Sequence, residues 1–237
     1  MSGDGDERDD LPRILWADGH LLAIDKPAGM PSVPARNPYD PPAAATVLAP
    51  AWGPLEAVHR LDRDTSGILL LARTAAARRR LGAAFAERTV RKEYVAVVDG
   101  RPPTPAGTLH LPLGPDPDRP PRQRCDPVAG RPSTTRWRSL ATSAEQTLLL
   151  LEPLTGRSHQ LRCHLAWLGV PIVGDPLYGR GRPVGRLLLH AARISFPHPF
   201  DGTTHTLLLP ACFPPDGAPW HAADTLTPAP SAATPRR

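Results

Sequence analysis

The pair Asp18-Gly19 joins two β-rich runs, residues 14–17 (ILWA) and 20–24 (HLLAI), and a two-residue Asp-Gly link between such runs is a strong local signal of an antiparallel hairpin. A chain that opens this way is committed to a sheet. Residues 67–72 (GILLLA) then have the length and apolarity of a buried strand, and residues 92–98 alternate, with Lys92, Tyr94, Ala96 and Val98 on one side and Glu93, Val95 and Val97 on the other. Trp137 and the run 147–151 mark two further strands. Residues 187–196 and 204–209 are expected as short elements at a sheet edge.

Helical signals are fewer. Thr74 can cap an alanine- and arginine-rich helix reaching about Glu87, with Leu81 and Phe85 as its inner face. Residues 160–168 place Leu161, Leu165 and Leu168 at helical spacing, and Gly169 is a natural stop. Within the proline- and alanine-rich stretch 31–54 at most one short helix, near 43–48, is expected, and 112–133 reads as a surface-hugging connection between two lobes. Strands outnumber helices without a βαβ rhythm, an internal repeat or heptads, so the expected class is α+β.

The chain has 237 residues and 41% hydrophobic content, enough for one substantial core. Three scattered cysteines are too few for a disulfide framework and point to a reducing compartment. The start is acidic where a secretory signal is basic and apolar, and no run reaches membrane-spanning length, so a cytoplasmic protein is expected. Net charge is +5, but residues 1–10 hold five acids and one arginine, or −4, which leaves +9 on the rest. Such a basic body suits a polyanion, although it also serves solubility. Only Lys26 and Lys92 of the 28 basic residues are lysines, which marks them as places where a compact ammonium is needed.

Two clusters carry candidate chemistry. In AVHRLDRDTSGILLLAR, residues 57–73, Asp62 and Asp64 stand among Arg60, Arg63 and His59. A carboxylate held ionised in a cleft by cations can act as nucleophile or base, while the same pattern on a surface is a solvated ion pair. An acid and base pair of glycosidase type is weak, since residues two apart share one environment. In LEPLTGRSHQLRCHLAWLG, residues 151–169, Arg157, His159, Gln160, Arg162 and His164 crowd the first turns of a helix. That cluster is either an anion-facing helix start or a polar face over a leucine core. Zinc at His159, Cys163 and His164 is disfavoured, because Arg162 would repel a dication. Tyr94 alone reads as strand packing with a satisfied hydroxyl.

Together HRLDRDTSG (59–67), KEYVAVVDG (92–100), GRSHQLRCHLAWLGVPIVGDPLYG (156–179) and LLHAARISFPHP (188–199) occur in the order seen in RluA-family pseudouridine synthases, and IDKPAGMPSVPAR resembles that family's first motif. The resemblance covers about residues 13–210. It implies a pseudouridine synthase fold, a mixed and mostly antiparallel sheet in two lobes about an RNA-binding cleft. By residue it implies Asp62 as the catalytic aspartate, Arg162 as its partner and Tyr94 as the base-stacking residue and a candidate acceptor of the C5 proton. Leu161 would wall the base pocket, Arg60 would enter the helix vacated by the flipped base, and His59, Arg157 and His159 would contact substrate. The implied partner is structured RNA, 23S rRNA and/or a tRNA anticodon stem-loop, since residues 111–137 resemble in layout the family's small dual-specificity members. No cofactor or metal is implied, and a monomer is expected. The catalytic domain is expected over 13–212 without an N-terminal S4 domain, after an acidic disordered leader (1–12) and before a disordered tail (213–237). Arg162→Met is expected to damage activity more than folding, because the helix would keep its leucine face.

Overall fold

The computed structural model describes residues 11–34, 39–182 and 184–213. Most of the expected acidic leader and proline-rich tail therefore lie outside the described residues. Strands β1 (Arg13–Ala17) and β2 (Leu21–Lys26) form the expected hairpin. Asp18 closes it: its Oδ1 accepts the N–H groups of His20 and Leu21, each at 2.7 Å, which is the turn-stabilising use of a short acid. Helix α1 (Ala44–Trp52) runs longer than expected, carrying Pro50 inside it, and precedes β3 (Glu56–Ala57) and β4 (Ser66–Ala72). Thr74 caps α2 (Ala75–Ala86), its Oγ1 accepting the Ala77 N–H at 3.1 Å. Then come β5 (Arg91–Asp99), β6 (Ala106–His110), β7 (Leu113–Pro115), β8 (Gln123–Cys125), β9 (Thr134–Thr142), β10 (Gln146–Pro153), α3 (Gln160–Trp167), β11 (Leu189–Pro197) and β12 (Thr204–Leu208).

Ten of these strands make one sheet in the order β1-β2-β4-β11-β5-β10-β9-β6, with β12 on β11 and β3 on β4. The β4–β11 pair is parallel and the others are antiparallel, so the sheet is mixed and mostly antiparallel within an α+β fold. The placement of β11 corrects the edge position expected for it. It lies between β4 and β5 because both its faces are apolar: Leu189 and Ala191 join one core cluster, Ile194 and Phe196 another. Segment 112–133 also departs from the expected plain connection. It folds into a two-stranded sheet, β7 with β8, whose Leu113 packs against Cys163 of α3 and Tyr178. Its prolines hide that periodicity in the sequence.

The alternation in β5 divides two cores. Tyr94, Ala96 and Val98 pack with Leu161 and Leu165 of α3 and Leu48 of α1, while Val95 and Val97 pack with Leu148, Val173 and Leu188. Each such leucine or valine contributes on the order of 2 kcal/mol by leaving water, which fixes α3 against the sheet. The join of β4 to β11 is tight. Gly67 has φ +110°, and a Cβ there would lie 2.4 Å from the Ala191 carbonyl oxygen, so only glycine lets the two strands meet. Asp62 sits five residues before that contact.

Candidate active site

The loop carrying Asp62 is held from both sides by the first motif. Leu61 is gripped by Ser32, whose Oγ donates to the Leu61 carbonyl at 2.9 Å and accepts the Leu61 N–H at 3.0 Å. Arg63 is gripped through its carbonyl, which accepts from the Gly29 N–H at 2.9 Å and from Lys26 Nζ at 2.9 Å. Lys26 is fully buried, and its ammonium also donates to the carbonyls of Pro27 at 2.8 Å and Met30 at 2.7 Å. Burial presses its pKa down to about 7 against the charges of Asp64, Asp62 and Asp25. Three acceptors around one nitrogen need all three ammonium hydrogens, a geometry that a planar guanidinium does not supply. The Thr65 N–H returns to the Asp62 carbonyl at 3.1 Å, closing the turn before β4.

Asp62 Oδ2 accepts from Arg162 Nη1 at 3.3 Å, across a hundred residues of chain. Arg162 is itself fixed by Asp175, whose two carboxylate oxygens accept from its Nε at 2.8 Å and Nη2 at 2.7 Å. Exposure falls along this row, from 21% for the Asp62 side chain to 3% for Arg162 and 0% for Asp175. Only Asp62 is open to a ligand. Burial works against the charge of Arg162, but its bonds to Asp175 and then Asp62 outweigh that and hold its pKa above the ordinary value. Asp175 Oδ1 also accepts the N–H groups of Leu177 at 2.9 Å and Tyr178 at 3.0 Å. Sequence reasoning places Asp175 inside a motif and assigns it no role. The one signal for it is an acid standing alone after the apolar run VPIVG.

A cavity of about 120 Å³ opens on Asp62, lined by Arg60, Tyr94, Arg157, His159, Leu161 and Arg162, together with Lys92, Thr65 and Leu189. Seven of the eight residues singled out in the sequence thus meet at one cavity. His59 is the exception. Its Nε2 accepts the Leu70 N–H at 3.1 Å and its ring stacks on Phe85 at 5.0 Å, with its pKa driven down to about 3 by burial and then by Lys92. Tyr94 is buried, and burial plus the nearby Asp62 charge raise its pKa, so it stays a phenol. His159, the residue before α3, has φ 52°, and its Nδ1 lies 3.0 Å from the Tyr178 hydroxyl. Its pKa is lowered by burial, which outweighs the charge of Asp62.

The remaining polar groups of the second cluster serve the fold. Gln160 donates to the Thr134 carbonyl and to Thr135 Oγ1, both at 3.0 Å, and His164 is buried between Thr135 Oγ1 at 2.8 Å and the Leu111 carbonyl at 3.0 Å. With both ring nitrogens of His164 engaged, no group of three His, Cys, Asp or Glu side chains among the described residues is arranged to hold a metal ion. Asp64 pairs with Arg63 at 3.3 Å. No helix among the described residues is long and apolar enough to cross a membrane.

Comparison with known proteins gives the chain its relatives. Residues 20–167 match a protein family described as RNA pseudouridylate synthase. The chain is 40% identical over 204 residues to the dual-specificity RNA pseudouridine synthase RluA of Escherichia coli strain K12, covering 84% of this chain and 93% of that protein. It is 40% identical over 197 residues to the enzyme of that description from Haemophilus influenzae, covering 81% and 90%. Among solved structures, human RNA pseudouridylate synthase domain containing 1 superposes with a TM-score of 0.74 at 28% identity, over 86% of this chain and 85% of the other. Human RNA pseudouridylate synthase domain containing 4 gives 0.68 at 25% identity, over 85% and 88%.

Proposed function

The chain belongs to the RNA pseudouridylate synthase family, and from that premise we propose that it isomerises uridine in structured RNA with Asp62 as the essential carboxylate. The observation that carries this reading is the 3.3 Å contact of Asp62 with Arg162 at the floor of a cavity walled by Tyr94 and Leu161. The reaction breaks the N1–C1′ bond, turns the uracil, joins C5 to C1′ and releases the C5 proton. It needs a base lifted out of its stack, a carboxylate kept ionised beside it, and walls that hold the freed ring.

Arg162 supplies the charge that keeps Asp62 an anion, and Asp175 fixes the direction in which Arg162 points. Leu161 and Tyr94 supply the walls. A phenol kept neutral acts first as a stacking face, and it can accept the C5 proton only by passing its own proton on. Arg60, exposed at the mouth, is placed to enter the space the base leaves, with Arg157 and His159 toward the adjoining backbone. His59, with its Nε2 engaged by the Leu70 N–H, lines the adjoining larger cavity next to Arg60 rather than the base pocket.

We assign the catalytic unit to residues 13–212, acting as a cytoplasmic monomer. The related enzymes are described as dual-specificity, so the substrates to try are a 23S rRNA fragment and a tRNA anticodon stem-loop. The test is tritium release from each RNA labelled at uridine C5, with wild type and Asp62→Asn in parallel. Release by wild type alone is expected. Near-normal release by Asp62→Asn would remove Asp62 from its role, and RNA binding without release on total cellular RNA would favour a silent binding protein.

A further inference from the structure

The cavity at Asp62 adjoins a much larger one of about 870 Å³, and the two share Arg60, Lys92, Tyr94 and Arg157 among their walls. Cations reach the larger cavity from four separate stretches of chain: Arg60, then Arg88, Arg91 and Lys92 around the start of β5, Arg136 from β9, and Arg157 ahead of α3. Among the described residues Glu152 is the only acid in its lining, and it is already engaged by Arg136 at 3.4 Å. Arg60, Arg88, Arg91, Lys92 and Arg157 form no salt bridge among the described residues. A concave surface that gathers unmatched cations is built for an anion larger than a single ion.

Arg88 adds an independent observation. It follows α2 with φ 60°, a left-handed conformation that favours glycine, while its N–H bonds the Phe85 carbonyl at 3.2 Å. The backbone there would be easier with no side chain. An arginine is held in that place, and its side chain lines the cavity.

We propose that the larger cavity is a seat for the phosphodiester backbone of the nucleotides adjoining the target uridine, with Arg88 and Arg91 as its phosphate contacts. This rests on the pseudouridine synthase reading. A base turned into the smaller cavity leaves its flanking phosphates at the shared wall, where Lys92 presents a point charge and the arginines beyond it present forks that match phosphate oxygens. These groups read backbone rather than sequence, so the seat supplies affinity and register while the smaller cavity selects the base.

Arg88→Gly tests the seat without harming the fold, because it relieves the backbone as it removes the charge. The expected result is an unchanged or higher melting temperature, a KM for substrate RNA raised several-fold and a kcat at saturating RNA that is kept. The slope of log Kd against log salt should flatten by roughly 0.7 to 0.9 when this single phosphate partner is removed, and by about twice that in the Arg88→Gly, Arg91→Ala double variant. Arg88→Lys should recover most of the slope, and Arg101→Ala, which lines neither cavity, should leave it unchanged. A double variant with wild-type KM and salt slope, on an RNA that the wild type converts, overturns the seat and leaves the family reading intact. Absence of conversion of any RNA by wild type would instead remove the reading itself, and the proposal with it.

Discussion

Asp175 grips Arg162 with both carboxylate oxygens, at 2.8 and 2.7 Å, so that only one edge of the guanidinium is left to meet Asp62. A free arginine samples many rotamers, and this one is restricted to the rotamer that places Nη1 against the exposed carboxylate. Asp175 is thus a positioning group for Asp62 although the two acids share no contact. Asp175→Asn keeps the shape but opposes an amide N–H to the guanidinium, which lets Arg162 tilt. A misplacement of about 1 Å at a reacting group costs roughly 10²-fold in rate. The expected outcome is a single-turnover rate lowered by about that factor with RNA affinity nearly unchanged. Equal losses in affinity and rate would show that Asp175 acts elsewhere.

The same pair changes what is expected of Arg162→Met. Judged by sequence, the helix can spare the arginine, since its leucines carry the packing. In the structure the removal strands Asp175, a fully buried carboxylate, and leaving one member of a buried pair unmatched typically costs about 3–5 kcal/mol. Arg162→Met should therefore lose both activity and several degrees of melting temperature, and Arg162→Met with Asp175→Leu should regain stability while staying inactive. Calorimetry on the two proteins decides this, and a melting temperature unchanged in the single variant would restore the sequence-based expectation.

That difference in expectation shows which part of the site is legible in the sequence. Asp62 and Arg162 stand out because each lies in a dense pattern of charge, whereas Tyr94 and Leu161 read locally as packing and take a site role only from the family resemblance, although the alternation through 92–98 does assign Tyr94 its side of the sheet. The scarcity of lysine points at Lys26 for the right physical reason. Asp175 is hidden because its meaning is a contact with a residue thirteen positions away, made after a turn that no periodicity announces. The central position of β11 is hidden in the same way. Its parallel pairing with β4 joins His190 to Ser66 and Ala191 to Gly67 over more than a hundred residues, and no local signal carries strand order.

Lys26 supplies a third prediction. Its ammonium ties Pro27, Met30 and Arg63 together, and so connects the first hairpin to the turn that aims Asp62. Lys26→Met fills the same volume but leaves three carbonyls short of a donor, at about 1–3 kcal/mol for each one that water cannot reach. Stability should fall by roughly 3 kcal/mol in urea titration, and kcat should fall with it as the Asp62 turn loosens. Lys26→Arg should not rescue, because a planar fork cannot meet three acceptors around one nitrogen. Full rescue by arginine would mean that charge alone is required.

His190 makes the fold sensitive to acid. It is buried in β11 beside the Gly67 contact, its Nδ1 2.9 Å from Ser66 Oγ and its Nε2 3.2 Å from the Leu209 carbonyl. The Leu209 carbonyl can only accept, so the neutral ring carries its hydrogen on Nε2 and its Nδ1 accepts from Ser66 Oγ, an oxygen that in turn accepts from Arg186 Nη1 at 2.9 Å. Burial, and then the Arg186 charge, push its pKa down to about 4. Between that value and about 6.5 the unfolded chain binds a proton that the folded chain does not, so unfolding gains as pH falls. The stability tied to this ring is therefore present above about pH 6.5 and is lost on descent toward pH 4, to an extent of about 3 kcal/mol. His59, pushed down to about 3, acts with the same sign. Urea midpoints at about pH 7.5, 5.5 and 4.5 should converge between wild type and His190→Gln as the pH falls, because the variant lacks the titrating ring while the carboxylates act on both proteins alike. Parallel curves would show that His190 is protonated in the folded state and that the acid sensitivity arises elsewhere.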